Sequence, residues 1–128
     1  MLCFTVKKKI LIVDDEPNVA LSLKVTFHDS GYEIHHVENG EKCLDFLEKS
    51  NDKPDVILLD IMMPGMSGWD VFRKIKENPD LEKIPVVFLT ARVDYTAKNA
   101  GKFLGDDYIE KPYDPDDLKH RIKKILEK

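Results

Sequence analysis

Three short apolar runs, each ended by a polar residue, constrain this chain more than any other feature. Ile10-Leu11-Ile12-Val13 ends in Asp14-Asp15, Val56-Ile57-Leu58-Leu59 ends in Asp60, and Val86-Val87-Phe88-Leu89 ends in Thr90. Runs of this length without polar alternation fit strands buried on both faces, as in a parallel sheet. Tyr32 to Val37 is more mixed and fits a strand nearer an edge, and Tyr108-Ile109 reads as a short, weakly marked last strand.

Helical patterns separate the runs. Pro17 marks a first helical turn with Asp15 as its cap. Val19, Leu23 and Phe27 then recur every four residues, and Gly31 is expected to close the helix. Asn39 caps a second helix whose inner face carries Cys43, Phe46 and Leu47. Ser67-Gly68 precedes a third with Val71, Phe72 and Ile75, ending near Asn78-Pro79. A fourth pattern, Asp94 to Phe103, has only a weak face of alanines, and Asp114-Pro115 opens a last helix with Leu118, Ile122 and Ile125 facing inward. Alternation of strand and helix through the chain predicts an α/β domain: a mostly parallel sheet with helices on both faces, in three layers.

At 128 residues, with 42% hydrophobic and 34% charged residues, the chain suits one globular domain and is too apolar for disorder. A net charge of −4 argues against direct nucleic-acid binding. No apolar run approaches the ~18 residues that span a bilayer, and the order of apolar and basic residues through Lys7-Lys8-Lys9 is not that of a secretory signal. No membrane role is expected. Cys3 and Cys43 form neither a disulfide framework nor a metal pattern, so a cytoplasmic setting is expected. The division is a lead-in over 1–8, with Lys7-Lys8-Lys9 solvated, and one domain over 9–128.

In open α/β sheets, ligands bind beyond the carboxyl ends of the strands. Asp14, Asp15, Asp60 and Thr90 all fall there, as does Lys111 after the last strand, so they are expected to converge. Clustered carboxylates repel one another, and a hard dication such as Mg²⁺ relieves this. Such a site suits phosphoryl transfer to an aspartate. Asp60 is the nucleophile candidate, Asp14 and Asp15 the metal holders, and the carbonyl of Met62 a further oxygen ligand. Thr90 and Lys111 are placed to meet a phosphoryl group, with the small Ala91 leaving room for it. Met62 and Arg92 flank the expected phosphoryl group. Taken singly, each residue has a plainer reading: Asp14-Asp15 as a helix cap, Asp60 as a turn residue, Thr90 as a strand-end hydroxyl, Lys111 as a surface cation. Adjacent His35 and His36 point to opposite faces of a strand and make a poor metal pair, so they read as structural. The acids Asp114, Asp116 and Asp117 suit a helix N-terminus, and Lys119, Arg121, Lys123 and Lys124 lie toward its other end.

The motifs Ile-Leu-Ile-Val-Asp-Asp-Glu-Pro at 10–17, Leu-Leu-Asp-Ile-Met-Met-Pro-Gly-Met-Ser-Gly at 58–68, Leu-Thr-Ala at 89–91 and Asp-Asp-Tyr-Ile-Glu-Lys-Pro at 106–112 resemble, in that order, the response-regulator receiver domains (the CheY-like family) of two-component systems. The resemblance covers about Lys9 to the end. It implies a flavodoxin-like five-stranded parallel sheet in the order 2-1-3-4-5. It also implies a phosphoryl group passed from a histidine kinase or phosphotransfer protein to Asp60. Mg²⁺ or Mn²⁺ would be held by Asp14, Asp15, Asp60 and the Met62 carbonyl. Thr90 and Tyr108 would act as the switch pair, Lys111-Pro112 would be a cis peptide, and the fourth helix, fifth strand and fifth helix would form the remodelled output surface. The run Leu104-Gly105-Asp106-Asp107 is one residue shorter than the family's usual Leu-Gly-Ala-Asp-Asp, so a shortened or shifted fourth helix is expected. The target would be a separate downstream protein or a fused output domain. Two other functions compete: a phosphatase of the aspartyl-phosphate type, and a receiver-like binding module that works without phosphorylation. The first usually carries a second acid two residues after its nucleophile, where this chain has Met62. The second would be expected to lack one of the key residues, and none is missing.

Overall fold

The computed structural model describes residues 7–90 and 106–127, with Thr90 described by its backbone. The elements are β1 (Lys9–Val13), α1 (Pro17–Thr26), β2 (Glu33–Val37), α2 (Gly40–Lys49), β3 (Val56–Leu59), α3 (Gly68–Glu77), β4 (Val86–Thr90), β5 (Asp107–Glu110) and the C-terminal helix α4 (Pro115–Leu126). The fourth helical pattern expected at 94–103, with Ala91, Arg92 and the shortened run into Leu104-Gly105, lies outside the described residues, as do Cys3 and Lys128.

The strands form one sheet in the order β2-β1-β3-β4-β5, and all pairs are parallel. The unbroken apolar runs are explained by two cores, one on each face of the sheet. Leu11, Val13, Ile57, Leu59, Val86 and Phe88 pack with Cys43 and Leu47 of α2 and Val71, Phe72 and Ile75 of α3. The alternate residues, Ile10, Ile12, Val56, Leu58, Val87 and Leu89, pack with Leu23 of α1, the neighbouring Phe27, and Leu118 and Ile122 of α4. The winding reverses between β1 and β3, where Val13 pairs with Leu59, so the residues that follow both strands open into the crevice at that reversal.

Helix starts follow local chemistry. Asn39 accepts the N–H of Lys42 at 2.8 Å. Ser67 and Asp70 form a reciprocal capping box at α3, and Asp114 accepts the N–H of Asp116 at 3.2 Å.

Three expectations need correction. The residue preceding α1 is Glu16, not Asp15, and its side chain makes no capping bond. Pro17 supplies no N–H at that point, which lessens the demand for a cap. The helix ends at Thr26 with Phe27 as its cap, so Gly31, at φ +75°, serves the later turn into β2 rather than closing the helix. Lys9 is not a solvated lead-in. It is the first residue of β1, and its ammonium donates to the carbonyl of Asp52 at 2.9 Å with its side chain 11% exposed.

Phe88 is fully buried against Trp69 and Phe72, with ring centroids 4.6 and 5.3 Å away. Phe88→Ala is expected to cost about 3–5 kcal/mol in urea unfolding, as deletion of a packed core ring does. Leu21→Ala, on an exposed face of α1, should stay within about 0.5 kcal/mol.

Candidate functional site

Asp14 is the first residue beyond β1. Its N–H still donates to the carbonyl of Val37 at 3.2 Å. Its side chain turns into the crevice, where Oδ1 accepts the N–H of Glu16 at 2.9 Å and Oδ2 meets Lys111 Nζ at 2.7 Å. Asp60 is the first residue beyond β3. Its N–H donates to the carbonyl of Val13 at 2.9 Å, so the main chain itself ties the ends of the two strands together. Asp60 Oδ1 accepts the N–H of Met62 at 3.3 Å, and Oδ2 lies 3.8 Å from Lys111 Nζ. Asp15 completes the group: one carboxylate oxygen from each of Asp14, Asp15 and Asp60 lies within 4.8 Å of the others.

The main chain beneath Asp60 is shaped by Gly68. A β-carbon there would fall 2.3 Å from the Asp60 carbonyl oxygen and 2.7 Å from Ile61 Cα. The absence of a side chain lets the start of α3 press against the Asp60–Ile61 backbone, and the Gly68 N–H donates to the Ile61 carbonyl at 2.9 Å. In the sequence, Gly68 reads only as a helix lead-in. A glycine immediately after a capping serine is the signal that could have indicated close backbone approach.

The site is buried and carries excess negative charge. Asp14 and Asp60 are 1% and 4% exposed. Burial pushes the Asp60 carboxyl up to about 6; Lys111 opposes the shift, Asp14 adds to it, the Met62 N–H opposes it, and Asp15 adds the smallest push. Among the described side chains, three ionised carboxylates against the one ammonium of Lys111 leave two negative charges. An all-oxygen donor set with that residual charge fits a hard dication of the Mg²⁺ kind.

The remaining expected site residues are distributed around this cluster. The Thr90 backbone pairs with Glu110 at the end of β4, and its side chain lies outside the description. Tyr108 pairs with Phe88 and packs, half-buried, against the core on the α2 and α3 side. The Lys111–Pro112 peptide is cis. Met62 stands at the rim with 53% of its surface exposed. Among the described residues the acidic group consists of Asp14, Asp15 and Asp60, and His36 contacts the main chain of Asp14.

A raised carboxyl pKa means that the native state binds a proton more tightly than the unfolded chain does. Its contribution to stability is then complete below the unfolded value and lost as pH rises through the folded one. In chelating buffer, the wild type is expected to lose up to about 3 kcal/mol relative to Asp60→Asn between pH ~4 and pH ~6. Thermal unfolding of the two proteins across that range checks this, and parallel curves would contradict it. Gly68→Ala is expected to destabilise the fold by about 2–4 kcal/mol, because the clash is with backbone rather than a flexible side chain.

Comparison with known proteins agrees with this architecture. The family described as "Response regulator receiver domain" matches residues 10–123. The chain is 39% identical over 122 residues to the phosphate regulon transcriptional regulatory protein PhoB of Pseudomonas aeruginosa, covering 94% of this chain and 52% of that protein. It is 37% identical over 120 residues to the alkaline phosphatase synthesis transcriptional regulatory protein PhoP of Bacillus subtilis, covering 93% and 48%. The chain thus spans about half the length of the curated relatives it matches. A putative response regulator from Chloroflexus aurantiacus superposes with a TM-score of 0.88 at 33% identity, covering 96% of this chain and all of that one. The response regulator TrrA of Thermotoga maritima, solved in complex with Mg²⁺ and BeF, gives a TM-score of 0.80 at 37% identity, covering 92% and 98%. With its sheet order, its acidic crevice and this match over most of its length, the chain belongs to the response regulator receiver domain family of two-component signalling.

Proposed function

We propose that this domain receives a phosphoryl group on Asp60 from the phosphohistidine of a histidine kinase or phosphotransfer protein and signals by a change of surface. The observation that carries the reading is the convergence of buried Asp14 and Asp60 with Asp15 and Lys111 in one crevice. A carboxylate oxygen of Asp60 forms the new O–P bond as the donor's P–N bond breaks, and the bonding pair leaves with the imidazole nitrogen. Asp14, Asp15, Asp60 and the Met62 carbonyl would hold Mg²⁺ or Mn²⁺. The bound dication would supply charge neutralisation for the carboxylates and the phosphoryl oxygens.

Lys111 stands between Asp14 and Asp60 and is placed to accept a share of the negative charge that arrives. A groove of ≈ 650 Å³ between α1 and the loop after β5, lined by Glu16, Ser22, Lys111 and Tyr113 among others, adjoins the Lys111 side of the site and would offer a partner a place to dock. The Thr90 hydroxyl would bond a phosphoryl oxygen, and Tyr108, paired with Phe88 two residues before Thr90 in β4, would pass the change to the surface beside β5.

The reading is of a signalling domain rather than an enzyme acting on outside substrates, because the position two residues after Asp60 holds Met62 and not an acid. The recipient of the signal would be a separate protein or an output segment of the same polypeptide. Direct nucleic-acid binding by this domain and a membrane role are not part of the proposal, and a cytoplasmic setting is. Among the described residues no helix is long and apolar enough to cross a membrane.

A small phosphodonor such as acetyl phosphate, supplied with Mg²⁺, is expected to add one phosphoryl group, seen by intact mass and lost on brief alkaline treatment. Asp60→Asn should abolish the adduct, and Lys111→Ala should slow its formation about 10²-fold. Labelling that persists in Asp60→Asn would reject the assignment. Steady turnover of a phosphate ester would instead favour the phosphatase reading.

A further inference from the structure

His36 lies on β2 opposite Ile12 of β1, two strands away from Asp60, and the chemistry described above makes no use of it. Its ring Nε2 is 2.8 Å from the main-chain oxygen of Asp14, in a part-buried contact. A carbonyl oxygen only accepts, so the ring must donate, through a proton on Nε2.

The oxygen that His36 holds belongs to the peptide joining Asp14 to Asp15. The paired ladder between β1 and β2 ends at Val13 and Val37. Beyond it, two contacts from β2 continue to grip the departing chain: the Val37 carbonyl takes the Asp14 N–H, and the His36 ring takes the Asp14 carbonyl. Because a peptide is planar, fixing its oxygen fixes the plane and so the direction in which Asp15 leaves Asp14. A rotation of that one peptide would swing Asp15 relative to the two buried carboxylates.

We infer that His36 is a positioning residue for the dication site, its ring N–H orienting the Asp14–Asp15 peptide so that both carboxylates face Asp60. This inference rests on the reading of the acidic crevice given above. His35 provides an internal control. It is the next residue on the same strand, but it meets the carboxylate of Glu33 at 3.0 Å and the ring of Phe46 at 5.3 Å between centroids, not the acidic crevice.

The test is the Mg²⁺ dissociation constant of the 128-residue chain, by isothermal titration calorimetry, for wild type, His36→Val, His36→Asn, His36→Gln and His35→Val. Val carries no donor and Asn is too short to bridge to the carbonyl. Both should weaken Mg²⁺ binding about tenfold, as loss of a group that orients metal ligands does. Gln can present an amide N–H at a reach similar to that of Nε2 and should recover most of the affinity, while His35→Val should match wild type. Should His36→Val not fold, as judged by far-UV circular dichroism, the comparison of Asn with Gln decides alone. Equal affinity in wild type, His36→Val and His36→Asn overturns the positioning role and leaves the crevice reading standing. Gln as weak as Asn also overturns it, because that pattern marks packing of the ring rather than its N–H. A wild-type chain that binds no Mg²⁺ overturns the crevice reading and this inference together.

Discussion

The main-chain bond from the Asp60 N–H to the Val13 carbonyl sets the terms for everything built at the mouth of this sheet. It holds the ends of β1 and β3 in register one residue past their ladder, and so brings Asp14 and Asp60 together below the protein surface. Among the described residues these two aspartates are the buried polar groups of a molecule whose other buried positions are apolar or glycine. Carboxylates in that position are costly, and the cost is visible in the raised pKa of Asp60. Lys111, delivered by the loop after β5, offsets part of it. In the proposed function the remainder would be met by a hard dication, and then by an oxyanion bridging between that ion and the lysine.

The rest of the fold serves this arrangement. The two apolar cores clamp the central strands from both sides, so the sheet's edge at the crevice has little room to move. Gly68 allows α3 to buttress the Asp60 backbone from below, and the capping box at Ser67 and Asp70 fixes where that helix begins. On the other side, the Tyr113 hydroxyl meets that of Ser22 at 2.8 Å, linking the loop that carries Lys111 to α1. Backbone strain is not required; the residues with positive φ among those described are the glycines Gly31 and Gly65.

Much of this was legible in the sequence because it depends on local or periodic signals. An apolar run with no alternation declares a strand buried on both faces, and Ile10–Val13, Val56–Leu59 and Val86–Leu89 behave accordingly. The caps Asn39, Ser67 and Asp114 bond within their own first turns. Strand order came from family resemblance, since spacing alone does not select among the possible windings. The errors and omissions share a different cause, contacts that span tens of residues or depend on backbone direction. Lys9 reads as a solvated charge until Asp52 is brought over it. Asp15 reads as a cap until the chain is seen to turn one residue later. His36 is 22 positions from the carbonyl it holds. Gly68 is marked as indispensable only by the backbone folded against it.

The central claim is that Asp14, Asp15 and Asp60 hold a dication close enough to Lys111 for both to act on one phosphoryl group. A crystal structure of this chain with Mg²⁺ and beryllofluoride tests it most directly. The account predicts a metal about 2.0–2.1 Å from carboxylate oxygens of the cluster, beryllofluoride attached to Asp60, and the Lys111 ammonium on a fluorine. Metal bound elsewhere, or Lys111 turned out of the crevice while Asp60 carries the fluoride group, would contradict it.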